Sequence, residues 1–286
     1  MIDRCRGAFP IRMMCHHLAV SSSGYYDWRT RPPSARARAN ARLSDRIKSL
    51  HAASDGVLGR RRIHEDLRDE GETCSVNRVG RLMRQADLRG LPQKKRWRRK
   101  ASMPRPTLVR NHLNREFQSP EPNTRWATDI TYVRTAESWL YLCVVIDLHS
   151  RQVVGWSMSA VQDRQLVLQA VLMALWQRED RNPVILHSDR GCQFTSDEYQ
   201  RFLKGHNLVC SMSAVGSCAD NALVEGFFGM LKRERVNRRR DATRAQARSH
   251  IFDYIERFYN LRTQRRLEEQ KLKGETLNLP VRKIGT

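Results

Sequence analysis

The spacing of apolar and polar positions changes near residue 124 and divides the chain into two parts. Between residues 59 and 90 apolar residues recur three or four positions apart, which predicts two short helices with Gly71 between them. The apolar positions are Ile63 and Leu67 in the first helix and Val76, Val79, Leu82 and Met83 in the second. Ser75 is a suitable N-cap for the second helix. The pattern favours a helix-turn-helix over its alternative, a solvated helical hairpin.

The outer face of the second predicted helix is polar and basic. It carries Asn77, Arg78, Arg81, Arg84 and Gln85. Such side chains suit phosphates and base edges in a major groove. We therefore predict that this face binds DNA.

From residue 124 onward the pattern is typical of strands. WATDITYV alternates apolar and polar residues, WLYLCVVIDL is a continuous apolar run, and RQVVGWSMS alternates again. Asp163 then caps an amphipathic helix, and two further strands alternate with helices to give the order βββαβαβα. The three closely joined strands predict an antiparallel meander, and the later alternation predicts parallel strands. The fold class is therefore α/β, with a mixed five-stranded sheet and flanking helices.

The charge balance points to a nucleic-acid partner. The chain of 286 residues has 52 Lys and Arg against 30 Asp and Glu, a formal net charge of +22. A membrane surface is the weaker alternative, because no apolar run is long enough to span one and no secretory signal is evident. The seven cysteines form no C-x-x-C pair, so neither a zinc site nor a disulfide framework is indicated. We expect a cytoplasmic, nucleoid-associated protein.

Between the two parts lies a proline-rich, strongly basic segment. It carries Lys94, Lys95, Arg96, Arg98 and Arg99 around Trp97. A solvated charge run is the usual explanation of such a segment. Its place between a DNA-binding candidate and the second part favours a linker that follows a phosphate backbone.

Three acids occupy apolar or tightly packed elements of the second part: Asp129, Asp189 and Glu225. An unpaired charge there would cost several kcal/mol. Three separate salt bridges would satisfy them. If they converge, Mg²⁺ fits better, because it prefers carboxylate oxygens and substrate phosphate. Two such ions can support an in-line phosphoryl transfer.

Neighbouring polar residues suggest supporting roles. Asn221, Glu225 and Lys232 share one helix face, so Asn221 can orient a carboxylate or water and Lys232 can hold a phosphate. His187 lies two residues before Asp189 and is assigned to the surroundings of the acids. Asp147 ends the second strand and is interpreted as a structural or supporting group.

The ordered set of motifs resembles the catalytic core of DDE transposases and retroviral-type integrases. Between Asp189 and Glu225 lie 35 residues, the spacing of the D…D-35-E arrangement. The strings WATDITYV, VIDLHSRQVVGWSMS, HSDRGCQF and DNALVEGFFGMLKRE resemble the OrfB protein of two-frame bacterial insertion sequences. The basic helical segment is similar to the helix-turn-helix that precedes that core. The resemblance covers residues from about 10 to 235.

The resemblance implies a ribonuclease-H-like fold and a specific chemistry. Asp129 would bridge two Mg²⁺ ions, with Mn²⁺ as a substitute, and Asp189 and Glu225 would complete their ligation. Water would free a 3′-hydroxyl at a transposon end, and that hydroxyl would attack a second phosphodiester. It also implies double-stranded transposon-end and target DNA as partners, a homo-oligomer on DNA, and fusion or partnership with an upstream OrfA-type protein.

These inferences divide the chain into five segments. They are an N-terminal helical arm over 1–42, a helix-turn-helix domain over 43–91, a basic linker over 92–120, a ribonuclease-H-like core over 121–240, and a C-terminal helix with a divergent tail over 241–286. The tail LEEQKLKGETLNLPVRKIGT departs from the OrfB pattern. The alternatives to a transposase are a nuclease of the same fold that does not join DNA, and a DNA-binding regulator or inactive transposase remnant.

Overall fold

The protein forms two compact units, residues 1–95 and residues 96–286, called here the N-terminal and C-terminal units. The computed structural model describes residues 1–92, 119–178, 182–189, 192–212 and 221–272. The five basic positions predicted in the linker, from Lys94 to Arg99, lie outside these ranges.

The described part of the N-terminal unit is helical. Its helices are α1 (Ile2–Cys5), α2 (Ile11–His17), α3 (Ser22–Thr30), α4 (Ala35–Ala53), α5 (Arg60–Asp69) and α6 (Val76–Gln85). The first three share a small apolar cluster of Ile2, Cys15 and Tyr25. Helix α4 runs without interruption across position 42, where the sequence suggested a segment boundary.

Helices α5 and α6 are the two predicted from the apolar spacing. Ile63, Leu67, Val79, Leu82 and Met83 are all buried, as the predicted stripes require. The Ser75 hydroxyl accepts a hydrogen bond from the backbone N–H of Arg78, 3.2 Å away, and so caps α6. Gly71 ends the preceding turn with φ +83°, a left-handed conformation that favours glycine. The predicted helix-turn-helix is confirmed.

The C-terminal unit is built on a five-stranded mixed sheet. Its strands are β1 (Arg125–Arg134), β2 (Trp139–Asp147), β3 (Val153–Ser159), β4 (Val184–Ser188) and β5 (Leu208–Met212). Their order across the sheet is β3-β2-β1-β4-β5. The pairs of β1 with β2 and β2 with β3 are antiparallel, whereas β4 pairs in parallel with both β1 and β5. This is the predicted meander followed by parallel strands.

Helices cover both faces of this sheet. The described helices of this unit are α7 (Arg164–Trp176), α8 (Cys192–Thr195), α9 (Asp197–Gly205), α10 (Ala222–Glu234), α11 (Arg244–Phe252) and α12 (Leu261–Leu272). Helices α7 and α9 pack with Trp126 on one face, and α10 and α11 pack with Ala127 on the other. Because adjacent strand residues point to opposite faces, the two cores share β1. Helix α11 belongs to the same core as α10, so the packing does not break at position 240.

A π-helix over Asp253–Asn260 joins α11 to α12 and fixes this region to the sheet. The Asn260 side chain accepts a hydrogen bond from Val153 N–H and donates one to Val153 C=O, each 2.9 Å long. The Tyr259 hydroxyl donates to the carbonyl oxygen of Arg151 at 2.9 Å. Strand β3 is an edge strand, and the Asn260 amide therefore occupies hydrogen-bonding groups that would otherwise face outward.

Gly155 allows α7 to approach β3 closely. A β-carbon at this position would lie 2.2 Å from the carbonyl oxygen of Ala170 and 2.8 Å from the backbone nitrogen of Ala174. Backbone atoms cannot yield as a flexible side chain can. The sheet and helix would therefore have to separate to accommodate it.

We expect Gly155→Ala to lower the free energy of unfolding by about 3 kcal/mol, measured by urea denaturation. Gly229→Ala is the control, because nothing lies within 4 Å of its β-carbon position. As a helix-interior change it should leave stability unchanged or raise it by up to about 1 kcal/mol. Equal stability of the Gly155 variant and the wild type would show that α7 does not pack this tightly.

No helix within the described ranges is long and apolar enough to cross a membrane.

Candidate active site

Asp129 and Asp189 lie at the same level of the sheet. Asp129 is in β1, opposite Val144 of β2. In the parallel pairing of β1 with β4, Ala127 lies beside His187. Since β4 ends at Ser188, Asp189 leaves the strand beside the segment of β1 that contains Asp129. The sheet register thus places two of the three predicted acids next to each other.

The third acid, Glu225, is in the first turn of α10, and Asn221 fixes the start of that helix. Asn221 is buried, and its side-chain N–H donates a hydrogen bond of 3.2 Å to the carbonyl oxygen of Thr128. Thr128 immediately precedes Asp129, so this bond holds the helix start beside the acid in β1. The Oδ1 atom of Asn221 is buried and has no hydrogen-bond partner among the described residues.

The three acids interact electrostatically. Burial raises the pKa of Asp129 to about 7, with further increases from the charges of Asp189 and Glu225. The backbone N–H of Ile130, which donates to Asp129 at 2.7 Å, and the charge of Lys232 act in the opposite direction. Negative charge therefore accumulates around Asp129 beyond what its neighbours neutralise.

Lys232 lies on α10, and its ammonium nitrogen is 4.6 Å from the centroid of the Tyr132 ring. Burial lowers the pKa of Lys232, and the charge of Asp129 partly offsets that effect. The sequence placed Lys232 on the face of Glu225 as a phosphate ligand, and that role remains a prediction.

No group of three or more His, Cys, Asp or Glu side chains close enough to share a metal ion occurs in the part of the chain that the structure describes. The charges of Asp189 and Glu225 affect the pKa of Asp129, but the three described carboxylates are not close enough together to share one metal ion. Residues 190–191 and 213–220, which lie beside Asp189 and before α10, are outside the described ranges.

The Asp147 side chain stabilises the loops at the end of β2. Its carboxylate accepts hydrogen bonds from the backbone N–H groups of Asn123 at 3.0 Å and Ser150 at 2.7 Å. The side chain is buried, and both oxygens are used by the loops at this end of β2. This geometry agrees with the structural role that the sequence suggested as one possibility for Asp147.

His187 is fully buried between β1 and β5. Its Nδ1 lies 3.0 Å from the hydroxyl of Ser211 on β5. Because it occupies the strand just before Asp189, it contributes to the rigidity of the strand end that carries this acid. A supporting role for His187 is retained as a prediction.

The thiol of Cys143 is buried close to the acids and is unreactive near neutral pH. Cys143 is buried, with its sulfur 3.5 Å from the Thr128 hydroxyl. Burial raises the pKa of Cys143 to about 12, so the thiol stays protonated near neutral pH. It is not a nucleophile under those conditions.

The predicted DNA-binding face of α6 is partly engaged within its own unit. Asn77 and Arg84 are exposed and Arg81 is half-buried. Arg78 is half-buried, and its Nε donates a hydrogen bond of 3.0 Å to the Asn40 side chain on α4. Arg78 therefore supports the packing of α4 on α6, a contact that helical periodicity could not reveal.

The family models that the chain matches agree with this architecture. An HTH-like domain matches residues 38–96, and two Integrase core domain models match residues 119–218 and 225–278. The transposase InsF of insertion sequence IS3A from Escherichia coli K12 is 41% identical over 265 residues, which cover 91% of each chain. The chain belongs to the IS3 transposase family. This IS3-family transposase is thus a DDE-type polynucleotidyl transferase with an integrase core, as the motifs indicated.

Another relative is the uncharacterized 31 kDa protein of insertion element IS600 from Shigella sonnei. It is 37% identical over 248 residues, covering 86% of this transposase and 91% of the relative. The second integrase core match reaches residue 278 and therefore includes part of the tail that the sequence suggested was divergent.

Solved structures similar to the transposase come from retroviral integrases. The simian T-cell lymphotropic virus intasome in complex with PP2A regulatory subunit B56 gamma aligns with a TM-score of 0.38 at 17% identity, over 65% of this chain and 58% of that one. The HTLV-2 integrase catalytic core domain in complex with magnesium aligns with a TM-score of 0.33 at 25% identity, over 39% of this chain and 68% of that one.

Sequence reasoning missed two aromatic residues, Tyr132 and Trp139, on the hairpin that carries Asp129. Both are exposed large side chains on the β1–β2 hairpin. In the sequence they read as ordinary strand positions, because strands are enriched in aromatic residues. The only sign of a binding role would have been the nearby basic residues, Arg134 and Lys232.

Proposed function

We propose that this IS3-family transposase cleaves insertion-sequence ends and joins them to target DNA, with Asp129, Asp189 and Glu225 as its catalytic and metal-binding acids. The observation that carries the proposal is the sheet register that brings Asp189 beside Asp129, together with the Asn221 hydrogen bond to Thr128 that holds the start of α10 beside the same strand. Such a concentration of carboxylate charge in a chain of net charge +22 suits a site where phosphate and cations meet.

In chemical type, though not in their spacing in this structure, the described donor groups suit a pair of Mg²⁺ ions, with Mn²⁺ as a substitute. Carboxylate oxygens are the ligands these hard cations prefer, and the buried Oδ1 of Asn221 offers a further acceptor for a bound water. When bound, a pair of such ions lowers the pKa of water and stabilises the leaving oxygen of a phosphodiester. Asp129, Asp189 and Glu225 would hold them.

The chain's own residues position the reaction. Asn221 ties α10 to β1 and so fixes Glu225 relative to Asp129. His187 and its hydrogen bond to Ser211 fix the strand that precedes Asp189. Lys232, beside Asp129, can hold a phosphate oxygen of the DNA. In the proposed sequence, water first attacks the transposon end, and the freed 3′-hydroxyl then attacks a second phosphodiester in line.

The decisive experiment is cleavage and joining of the element's own end DNA by the full chain, with and without Mg²⁺. An oligonucleotide that already carries a free 3′-hydroxyl tests the joining step alone. Joined products support a transposase, whereas cleavage without joining would indicate a nuclease of the same fold. Products that form equally well in EDTA would contradict the metal-dependent chemistry.

We further propose that the N-terminal unit holds the DNA through α6, with Asn77, Arg81 and Arg84 toward the duplex. The basic linker residues, from Lys94 to Arg99, would follow the phosphate backbone. Partnership with an OrfA-type protein, a homo-oligomer on two DNA ends and a cytoplasmic location belong to the same proposal.

We expect Arg81→Ala to reduce the slope of log K against log salt concentration by about 1. The reason is that one fewer phosphate counterion is released on binding. Fluorescence anisotropy of end DNA over a series of salt concentrations measures this slope. Arg42→Ala is the matched control, since Arg42 forms an ion pair of 3.0 Å with Glu72 and lies on α4. The assignment is wrong if both variants keep the wild-type slope.

A further inference from the structure

Two exposed aromatic rings lie together on the β1–β2 hairpin. The Tyr132 side chain is 58% exposed and that of Trp139 is 40% exposed. Their ring centroids are 5.3 Å apart, and the rings meet edge to face. Large aromatic residues usually bury most of their surface, so a pair left open to solvent is available to a ligand.

Cations flank both rings. The ammonium nitrogen of Lys232 lies 4.6 Å from the Tyr132 ring centroid, and the guanidinium carbon of Arg134 lies 5.5 Å from that of Trp139. Arg134 pairs directly with Trp139 across the two strands. Aromatic faces interleaved with positive charges are the composition that binds single-stranded nucleic acid, through base stacking and phosphate contacts.

The hairpin that carries the rings is held in place at its turn. Arg244, at the start of α11, donates to the Glu137 carboxylate at 2.8 Å. The backbone N–H groups of Ala136 and Glu137 donate to the carbonyl oxygens of Asp241 and Ala242, at 2.8 Å and 3.0 Å. These contacts fix the rings before any ligand arrives, which lowers the entropic cost of binding.

The rings are also close to the acids. Tyr132 follows Asp129 by three residues on β1, a separation of roughly 10 Å along an extended strand, so the two side chains point to opposite faces of the sheet. Lys232 links the two places, because it lies over the Tyr132 ring and interacts with the charge of Asp129. A nucleotide on the rings would therefore be within a few nucleotides of a phosphate at the acids.

We propose that Tyr132 and Trp139 form a platform that stacks an unpaired nucleobase of the DNA end beside the reacting phosphodiester. This inference rests on the proposed function, because it assigns the DNA at the same site. The ligand is a base without a partner, since a base inside a duplex has both faces covered by its neighbours. The platform would hold the end open while the acids act on its backbone.

Binding of a short fluorescent duplex without divalent cation tests the platform apart from any chemistry. One version has fully paired ends, and the other has its last few base pairs mismatched, with 2-aminopurine in place of one unpaired base. Fluorescence anisotropy gives the affinity of the full chain for each. The 2-aminopurine signal reports stacking directly, because an aromatic neighbour quenches it.

The wild type is expected to prefer the mismatched duplex and to quench 2-aminopurine. Tyr132→Ala and Trp139→Ala should each reduce that preference by about fivefold or more and restore the fluorescence. Tyr132→Phe keeps the ring and should retain both properties. Trp176→Ala is the matched control, because Trp176 is 83% exposed on α7 and does not belong to the platform.

Two results would overturn the platform. One is a wild type with no preference for the mismatched duplex, and the other is a pair of alanine variants that behave like Trp176→Ala. Near-equal thermal midpoints of all variants confirm that folding is unchanged. Loss of Mg²⁺-dependent cleavage bears on the proposed function alone, since the binding assay contains no divalent cation.

Discussion

Replacing Asp129 by Asn, Asp189 by Asn or Glu225 by Gln is expected to lower the rate of end cleavage and joining by about a thousandfold or more. Each change keeps the shape of the side chain and removes its negative charge. Because the three carboxylates interact, loss of any one reduces the charge that can hold a cation against phosphate. The measurement is the single-turnover rate of cleavage of end DNA in Mg²⁺.

Glu198→Gln is the matched control for these variants. Glu198 lies in the same unit, forms a surface ion pair of 2.9 Å with Arg164, and is not among the three acids. We expect it to cleave at the wild-type rate. All three acid variants should still bind end DNA, since α6 is unaltered. Wild-type cleavage rates in all three would exclude them as the catalytic acids and would leave DNA binding as the activity assigned to this site.

Asp129→Asn should also stabilise the metal-free protein at neutral pH. Burial raises the pKa of Asp129 from 3.8 to about 7. Between these two pH values the unfolded chain has lost this proton while the folded chain keeps it. The free energy of unfolding of the wild type therefore falls as the pH rises from about 4 to about 7, and this contribution does not change further above about pH 7. At about pH 8 the variant should be more stable by up to roughly 4 kcal/mol, and at about pH 4 the two should be equal.

Urea denaturation across this pH range measures the difference between variant and wild type, which isolates Asp129 from the other acids. Added Mg²⁺ should raise the stability of the wild type more than that of the variant, because a ligand that binds only the folded state stabilises it. A difference that does not change with pH would mean that Asp129 titrates normally. Equal stabilisation of both proteins by Mg²⁺ would mean that the ion binds elsewhere.

Periodicity was sufficient to predict the elements that carry the acids. The continuous apolar run of β2 marks a central strand, the alternation of β1 and β3 marks its neighbours, and the later helices indicate the parallel strands. Parallel strand ends meet at one edge of a sheet. Element order therefore permits Asp129 and Asp189 to meet but does not require it, and the sequence left three separate salt bridges as an alternative.

Contacts between distant side chains could not be predicted in this way. Arg78 occupies a polar position on α6, but its hydrogen bond to Asn40 depends on how α4 packs. The π-helix has the same apolar spacing as an α-helix over its short length, so Asp253–Asn260 resembles an ordinary helical segment in sequence. The mutual approach of the three acids is likewise a tertiary property, and it adds to the effect of burial in raising the pKa of Asp129.

The hydrogen bonds between Asn260 and Val153 limit how far the C-terminal unit can be shortened from its C-terminal end. A fragment that stopped at position 240 would retain all five strands and all three acids. It would also uncover the outer side of β3 and the apolar surface beneath α11, where a strand from another molecule could add. The smallest autonomous catalytic fragment therefore extends at least to residue 260, well past its last acid.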